Sequence, residues 1–460
     1  MSDSAEATAR AARRGWISDP VLGAILLASG LGLIAAVAFF EERDLADAPW
    51  ATAVFSPDGA APWDGTTPIA VRKVPMSNFP DTQFVIDSLR SRMGEKDIGA
   101  FQLEKTEWVL AFDAPPEFFA PVLESGRLPR SGAREVLSGC LARLDRFEMD
   151  GANFEVVGRL RRDTGGLAFA YVLPDDPALR RHFHASRATT IGWFDADPDD
   201  DFAVLEEDVL QGRTIVGGEP PARRIHTLVI ILGLVCVATG GAVLHVRIFN
   251  RWALTSRGAF APFLRAHVES PFLVALMHVV LYGPLFLAML AATRMPVENM
   301  RLHEFVVHAF SEGSLDYVGD AYKSGNVWRA AAATWVNNYL LQTLGLTFVP
   351  SLVVPFVGVL KTMGSFVLAG FALSPLWAGN ASRFVFHAIT MTLELEAYIL
   401  ACVAICLFPI RLFGRSHGSG LPQRFVAAWR IVIGAALLCG IMLAIAGLYE
   451  ALTLILIAQV

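Results

Sequence analysis

The sequence predicts an α-helical integral membrane protein with a mixed α/β domain inserted between its first two membrane helices. Composition is the first observation: of 460 residues, 54% are hydrophobic and 18% are charged, and the mean hydropathy is +0.46. Soluble proteins of this size are less apolar. Charge segregation is the second, because 32 of the 44 acidic residues lie between Glu41 and Arg224. We therefore expect one water-soluble domain and one membrane bundle.

The first apolar stretch, residues 20–40, has no charged residue over 21 positions, which is enough to cross a hydrocarbon core of about 30 Å. Three arginines precede it and acidic residues follow it in place of a cleavage site. These features predict an uncleaved transmembrane helix, with residues 1–19 as a cytoplasmic tail. Residues 41–224 are then expected to form an extracytoplasmic domain.

Residues 225–460 are predicted to form a bundle of about six helices, which gives about seven spans in all. The predicted spans are 226–245, 271–293, two within 330–382, 384–407 and one from about 431. The arginine-rich loops 247–269 and 409–430 are expected on the cytoplasmic side. Within 330–382, Pro350 and Pro355 mark either a kink or the turn. The last span is long, and we expect a break near Gly447 and Glu450 with an interfacial end.

The polar domain has the pattern of a mixed α/β fold. Helical periodicity runs over Thr82–Met93, and an acidic helix start favours a second helix at 202–210. Strands are predicted at Glu107–Phe112 and at 153–160, which follows the turn Asp150-Gly151. Only one of the five cysteines falls in this domain, so it cannot contain an internal disulfide.

Part of this domain carries an ordered set of turns and strands. Gly126-Arg127-Leu-Pro129 precedes Glu135-Val136, and Phe154-Glu-Val-Val-Gly158 follows. Over about residues 50–215 the order resembles the periplasmic core domain of MacB-type and lipoprotein-releasing ABC permeases. The resemblance implies a membrane subunit driven by a separate ATPase, although six later spans stand where those permeases have three. An unrelated small α/β ectodomain is the alternative.

The membrane half resembles a different family over residues 330–410. The residues that carry this resemblance are Trp335-Val-Asn337-Asn338, Pro355-Phe-Val-Gly358, Gly364, Gly370 and Leu393-Glu394-Leu-Glu396-Ala397. They look like the stage II sporulation protein M family, which has an Asn-Asn helix start, a Gly-x5-Gly helix and a His-Gly-x-x-Glu-Leu-x-Ala segment. Glu394 matches the family glutamate and Asn338 the helix-start asparagine, but Thr390 stands where the family has histidine. The resemblance implies a membrane component of a multi-protein envelope machine, with Gly364 and Gly370 in helix packing.

Two carboxylates, Glu394 and Glu396, stand in the middle of the predicted sixth span. An acidic side chain at the bilayer centre costs about 2.5–3.5 kcal/mol, so both are candidates for a structural or functional role. Side chains two residues apart on a helix point about 200° from each other, which excludes a shared-proton pair. We expect Glu394 to bond to Asn337 or Asn338. Glu396 is expected to face a cavity, a second subunit of a homo-oligomer, or Lys361.

Two further intramembrane candidates are His387 and Glu450. His387 lies on the same stripe as Glu394 but about 10 Å away along the helix axis, too far for direct contact. Thr390 and Thr392 each lie four residues before a glutamate and could supply local hydrogen bonds. The alternative for the whole set is a group of satisfied interhelical polar contacts with no transport role.

Catalysis, metals and cofactors are not expected. No phosphate-binding loop, nucleophile elbow or zinc-protease motif occurs in the chain. The acidic run Asp195–Glu206 lacks the glycine of a calcium loop, and His182 and His184 lie in an arginine-rich surface segment. The pair Gly240-Gly241 fits close helix packing better than a nucleotide loop.

Two function classes remain after these exclusions. The first is a permease-like transport or mechanotransmission subunit, to which a separate cytoplasmic ATPase docks through the two basic loops. The second is a membrane scaffold that organises peptidoglycan-remodelling enzymes through its outer domain. Both classes follow from the two resemblances, which imply the bacterial inner (cytoplasmic) membrane. They place the chain among membrane lipid and other envelope proteins, and neither involves nucleic acid.

Overall fold

The computed structural model describes the bundle almost completely and the polar domain in part. The described residues are 20–46, 116–139, 222–311, 313–377, 381–414 and 420–456, with seven separate strands at 53–56, 68–74, 109–112, 146–149, 152–160, 189–193 and 214–216. The predicted helices at 82–93 and 202–210, the acidic run 195–206 and the histidines 182 and 184 lie outside them.

The bundle is built from long apolar helices joined by short ones. In chain order the described helices are α1 Pro20–Ala46, α2 Arg224–Thr255, α3 Ala261–Val268, α4 Pro271–Ala292, α5 Pro296–Ser311, α6 Asp316–Lys323, α7 Val327–Trp335, α8 Val349–Val353, α9 Val357–Ala372, α10 Ala381–Phe413 and α11 Leu421–Leu456. Among the described residues, α1, α2, α4, α10 and α11 are long and apolar enough to cross a membrane, and α9 is apolar but shorter. The chain is therefore a helical, multi-pass membrane protein.

The stretch predicted to hold two spans does contain two helical segments. A π-helical segment, Val336–Phe348, joins α7 to α8, and the junction residues keep helical dihedral angles. The hydroxyls of Thr343 and Thr347 donate to carbonyls five residues earlier, at 2.6 and 3.0 Å, in step with this wider spacing. The chain turns at residues 354–356, where Phe356 has φ +68°. Pro355 therefore marks the turn, whereas Pro350 lies inside α8.

The predicted break in the last span is wrong. Helix α11 continues from Leu421 to Leu456 through both Gly447 and Glu450. A Cβ placed on Gly447 would lie 3.3 Å from the carbonyl oxygen of Ala331 and 3.4 Å from Thr334. Gly447 therefore allows α11 to pack closely against α7, and the helix continues past this glycine.

Glycines bring α1 and α2 into close contact. A Cβ on Gly240 would lie 2.7 Å from the carbonyl oxygen of Gly23, and one on Gly233 would lie 2.9 Å from that of Gly30. Small residues at a helix crossing allow such backbone approach within a membrane. The prediction that Gly240 serves helix packing is confirmed.

Nine strands lie between α1 and α2 in the described part of the polar domain. They are β1 Ala53–Ser56, β2 Pro68–Val74, β3 Val109–Phe112, β4 Leu123–Gly126, β5 Glu135–Ser138, β6 Arg146–Met149, β7 Ala152–Leu160, β8 Thr189–Trp193 and β9 Thr214–Val216. One sheet has the order β3-β2-β8-β1-β9; in the other, β7 pairs with β4, β5 and β6, and its pairing with β5 is parallel. Strands β3 and β7 confirm the two predicted strands.

A two-pronged ion pair connects β5 to the loop after β4. Both terminal nitrogens of Arg127 donate to the carboxylate of Glu135 at 2.6 Å, and the backbone N–H of Arg130 donates to it at 3.0 Å. The Arg127 hydrogen bond is the main cause that lowers the pKa of Glu135 to about 2.

Replacing Glu135 with glutamine is expected to destabilise this sheet at pH 7 by about 1–2 kcal/mol, since hydrogen bonds to a charged group are lost. A lowered carboxyl pKa contributes stability above the unfolded pKa near 4.5, and this stability disappears as the pH falls towards 2. Amide hydrogen exchange in β5 and β7 would therefore differ between the two proteins at pH 7 and converge at low pH. Glu124→Gln, at an exposed position on β4, is the control; a difference that persisted at low pH would contradict the account.

Candidate functional site

A buried cluster of titratable side chains lies where α2, α3, α4 and α10 meet. Its members are His245 on α2, His267 on α3, His278 and Tyr282 on α4, and Glu396 on α10. We call these five residues the histidine cluster. Glu396 is 4% exposed and His267 is 2% exposed, so the polar groups have to satisfy one another.

Glu396 is the centre of the histidine cluster. Its Oε2 contacts Nδ1 of His245 and lies 3.1 Å from Nε2 of His278. The hydroxyl of Tyr282 donates to the other carboxylate oxygen, Oε1, at 3.0 Å. One carboxylate therefore connects α10 to two other long helices, α2 and α4.

The helix geometry of α4 explains how two of these partners converge. His278 and Tyr282 are four residues apart and so share a face of the helix. Nδ1 of His278 lies 2.7 Å from the carbonyl oxygen of Val274, which can only accept, so Nδ1 carries the proton. This bond orients the ring so that Nε2 points at Glu396.

His267 extends the cluster to the short helix α3. Its Nε2 lies 3.2 Å from Nε2 of His245, and the two rings stack with centroids 5.2 Å apart. Burial is the main cause that holds the pKa of His267 well below its ordinary value, so this imidazole is neutral. Within the described part of the chain, its Nδ1 is buried and has no hydrogen-bond partner.

The structure corrects one prediction about this region: Glu396 does not reach Lys361, whose ammonium group instead donates to Oε1 of Gln342 at 2.7 Å. The expected absence of a metal site stays a prediction. His245, His278 and Glu396 each offer a ligand atom, and these three atoms lie within 4.8 Å of one another.

Sequence reasoning missed both histidines because the partners lie far apart along the chain. His245 is 151 residues from Glu396, and His278 is 118 residues from it. No local motif spans such distances. The available signal was the presence of histidines inside two apolar stretches, since ionisable residues within a membrane span are candidates by default.

Glu394 lies on a different face of α10 from Glu396 and has different partners. The side-chain amide of Asn338 donates to its Oε1 at 2.7 Å, which confirms the predicted contact of Glu394 with one of the two asparagines. Asn337 in turn donates to Oδ1 of Asn338 at 2.9 Å. The hydroxyl of Thr392 donates to the carbonyl of Ala388 at 2.7 Å and so does not serve Glu396.

The other sequence candidates lie apart from the histidine cluster. Glu450 lies near Tyr322 on α6, whose pKa is raised mainly by burial and further by that carboxylate. The ring of His387 packs against Phe384, with centroids 6.5 Å apart. A Cβ on Gly370 would lie 3.0 Å from the carbonyl carbon of Leu285, so this glycine packs closely against α4, and Gly364 is half-buried.

A cavity of about 540 Å³ lies at the end of the bundle where α2 ends and α11 begins. Four arginines line it: Arg257, Arg265, Arg411 and Arg430. Glu269 also lines it and accepts a hydrogen bond from Arg411 at 2.5 Å. We call this site the arginine cavity; its net positive charge suits an acidic or anionic partner.

Helix α3 connects the arginine cavity to the histidine cluster. Arg265 is exposed at the cavity, whereas His267, two residues later, is buried against His245. Residues two apart on a helix point in nearly opposite directions, which explains this division. The start of α3 also packs on α11, where a Cβ on Gly434 would lie 3.2 Å from that of Phe263.

A scan against protein-family models and searches of curated proteins and of solved structures found no match to this chain. The two family resemblances therefore stay predictions, and the function has to be argued from the geometry described above.

Proposed function

We propose that the protein is a non-catalytic, permease-like membrane subunit of a bacterial envelope complex, and that a separate cytoplasmic ATPase docks at the arginine cavity. In this proposal movement of the docked partner passes through α3 into the membrane bundle. The observation that carries the proposal is the position of α3, which has Arg265 at the cavity and His267 in the histidine cluster.

The charge of the arginine cavity supports the assignment of its side. Arginines gather in the loops that face the cytoplasm of bacterial membrane proteins. The loop between α2 and α4 and the segment around the start of α11 both contribute arginines to the cavity. We therefore propose that this end of the bundle is cytoplasmic and that the nine strands lie outside the cell.

Seven spans are consistent with this orientation. The five long helices supply five, the helical stretch 327–353 supplies one and α9 supplies the seventh. At 1.5 Å per residue the 27 residues of that stretch could extend about 40 Å, more than a bilayer core requires. The residues that would lie nearest the cytoplasm in this arrangement include the turn at 354–356.

The packing of α3 supports a role in transmitting movement. Its inner face buries Phe263, Leu264 and Ala266 as well as His267. It contacts α2, α4, α10 and α11, so a displacement of α3 would be felt by four of the long helices. Packed elements of this kind move as units between discrete arrangements.

The test is recovery of an ATPase with the full-length protein from its native host in mild detergent. Reversing the charge of two cavity residues, Arg265→Glu with Arg430→Glu, is expected to lower recovery of the ATPase by at least about tenfold, because like charges across an interface cost several kcal/mol. Arg329→Glu is the matched control, since this exposed arginine starts α7 near the opposite end of α11.

Two outcomes would overturn the proposal. One is that no ATPase accompanies the wild-type protein, even after chemical cross-linking in intact cells. The other is that the double charge reversal recovers as much ATPase as the control variant. Partner identification by mass spectrometry settles both in the same experiment.

The second candidate is a membrane scaffold for peptidoglycan-remodelling enzymes. The contact between Asn338 and Glu394 favours it, because both positions belong to the resemblance with the sporulation family. Recovery of cell-wall enzymes alone, unaffected by the arginine reversals, would favour the scaffold over the permease-like subunit.

A further inference from the structure

We propose that His245, His278 and Glu396 form a binding site for a divalent cation of the zinc type. Two imidazoles and one carboxylate are a ligand set that suits first-row transition metals and zinc, and it disfavours magnesium and calcium, which prefer oxygen ligands. The three ligand atoms come from α2, α4 and α10. A bound cation would therefore join three long helices inside the bundle.

The distances suit such an ion. The three ligand atoms lie within 4.8 Å of one another, and Nε2 of His278 lies 3.1 Å from Oε2 of Glu396. Zinc bonds of about 2.0–2.2 Å at tetrahedral angles place neighbouring ligand atoms roughly 3.3 Å apart. Small side-chain adjustments would bring the three atoms to that spacing.

Hydrogen bonds outside the ligand set orient each ligand. Metal-binding histidines usually donate their second N–H to a carbonyl or carboxylate, and His278 does so to Val274. Tyr282 donates to the oxygen of Glu396 that does not face the histidines, which leaves Oε2 for the ion. With Nδ1 of His245 on the ion, its Nε2–H would donate to Nε2 of His267.

His267 supplies an independent observation. Its Nδ1 is buried and without a hydrogen-bond partner in the described part of the chain, although the ring lies against a metal-ligand candidate. Buried polar nitrogens are normally satisfied. Three protein ligands leave a fourth zinc position, which a water would fill.

The alternative is that no metal binds. The histidines and the carboxylate are then held together by hydrogen bonds alone. Loading a metal on the cluster would release protons from the ligands. The two states differ in metal content, in visible absorption of the cobalt form and in stabilisation by added metal. None of these readouts depends on an ATPase. The metal site can therefore be disproved while the proposed function stands, and the proposed function can be disproved while the metal site stands.

The experiment measures metal bound to the full-length protein in detergent. After chelator treatment and removal of the chelator, titration with Zn²⁺ is expected to load about one equivalent per chain, as three ligands from one protein would hold. Co²⁺ in the same site is expected to give the intense visible absorption of a four-coordinate ion. The variants His278→Ala and Tyr282→Phe should weaken binding, the second by about 10–100-fold, since it removes only an orienting hydrogen bond.

His387→Ala is the matched control, because this half-buried histidine lies on α10 away from the cluster. His278→Cys guards against a variant that simply fails to fold: a thiolate at this position should restore binding and add a sulfur-to-cobalt charge-transfer band. The proposal is overturned if the wild-type protein binds no Zn²⁺ or Co²⁺ at micromolar concentrations. It is equally overturned if His278→Ala binds as tightly as the control and His278→Cys adds no charge-transfer band.

Discussion

Replacing Glu396 with alanine is expected to lower the free energy of unfolding of the membrane bundle by about 3–5 kcal/mol, the usual cost of removing one partner from a buried charged pair. The carboxylate accepts or shares hydrogen bonds with His245, His278 and Tyr282. Its loss leaves these three groups without their shared partner in a region that water does not reach. The measurement is denaturant-induced unfolding of the chelator-treated protein, so that loss of any metal does not contribute.

Glu394→Ala is the control for this substitution because it removes a carboxylate from the same helix. Glu394 is less exposed to loss of partners because, among the described residues, it accepts one hydrogen bond, from Asn338, and its side chain is only half-buried. We therefore expect a smaller loss of about 1–2 kcal/mol. Equal losses for the two variants would show that the histidine cluster contributes no more than an ordinary interhelical hydrogen bond.

Replacing Gly30 with leucine is expected to force α1 away from α2. A Cβ at this position would lie 2.8 Å from Cγ2 of Val237 and 2.9 Å from its backbone nitrogen, and it would also contact the carbonyl oxygen of Gly233. Backbone atoms cannot rotate out of the way, so the cost should be at the upper end of the range for overpacking, about 3 kcal/mol. Thermal unfolding and the sensitivity of the protein to protease report the change.

Gly32→Leu provides a matched substitution on the same helix. A Cβ on Gly32 would meet no atom within 4 Å, so the added side chain enters open space. We expect its stability to stay within about 0.5 kcal/mol of the wild-type protein. If Gly30→Leu behaved like Gly32→Leu, the close crossing of α1 and α2 would be wrong.

Patterns that are local in sequence predicted much of the bundle. Charge-free runs located the long helices, and one of the two prolines that were predicted to mark a kink or a turn, Pro355, lies at the turn before α9. The contact between Glu394 and Asn338 also followed from local information, because the orientation of two residues on one helix separated Glu394 from Glu396. These inferences needed only helix geometry and the resemblance in the membrane half.

The histidine cluster could not be predicted in the same way. Its members come from four helices, and which faces of those helices meet depends on packing between distant segments. The same reason explains the error at Gly447. In the sequence a glycine at this position suggested a break in the helix, whereas in the bundle it allows close contact with α7. Lys361 was one of three alternatives for the surroundings of Glu396, but its ammonium group binds a neutral amide, that of Gln342.

The two glutamates of α10 constrain how the protein can change shape. Glu394 is bound to Asn338 on one side of the helix, and Glu396 is bound to α2 and α4 on the other. Rotation of α10 about its own axis would break both sets of hydrogen bonds together, whereas sliding or tilting of the neighbouring helices need disturb only one. Rotation of α10 would therefore cost more hydrogen bonds than movement of its neighbours, and we expect any conformational change to leave the orientation of α10 unchanged.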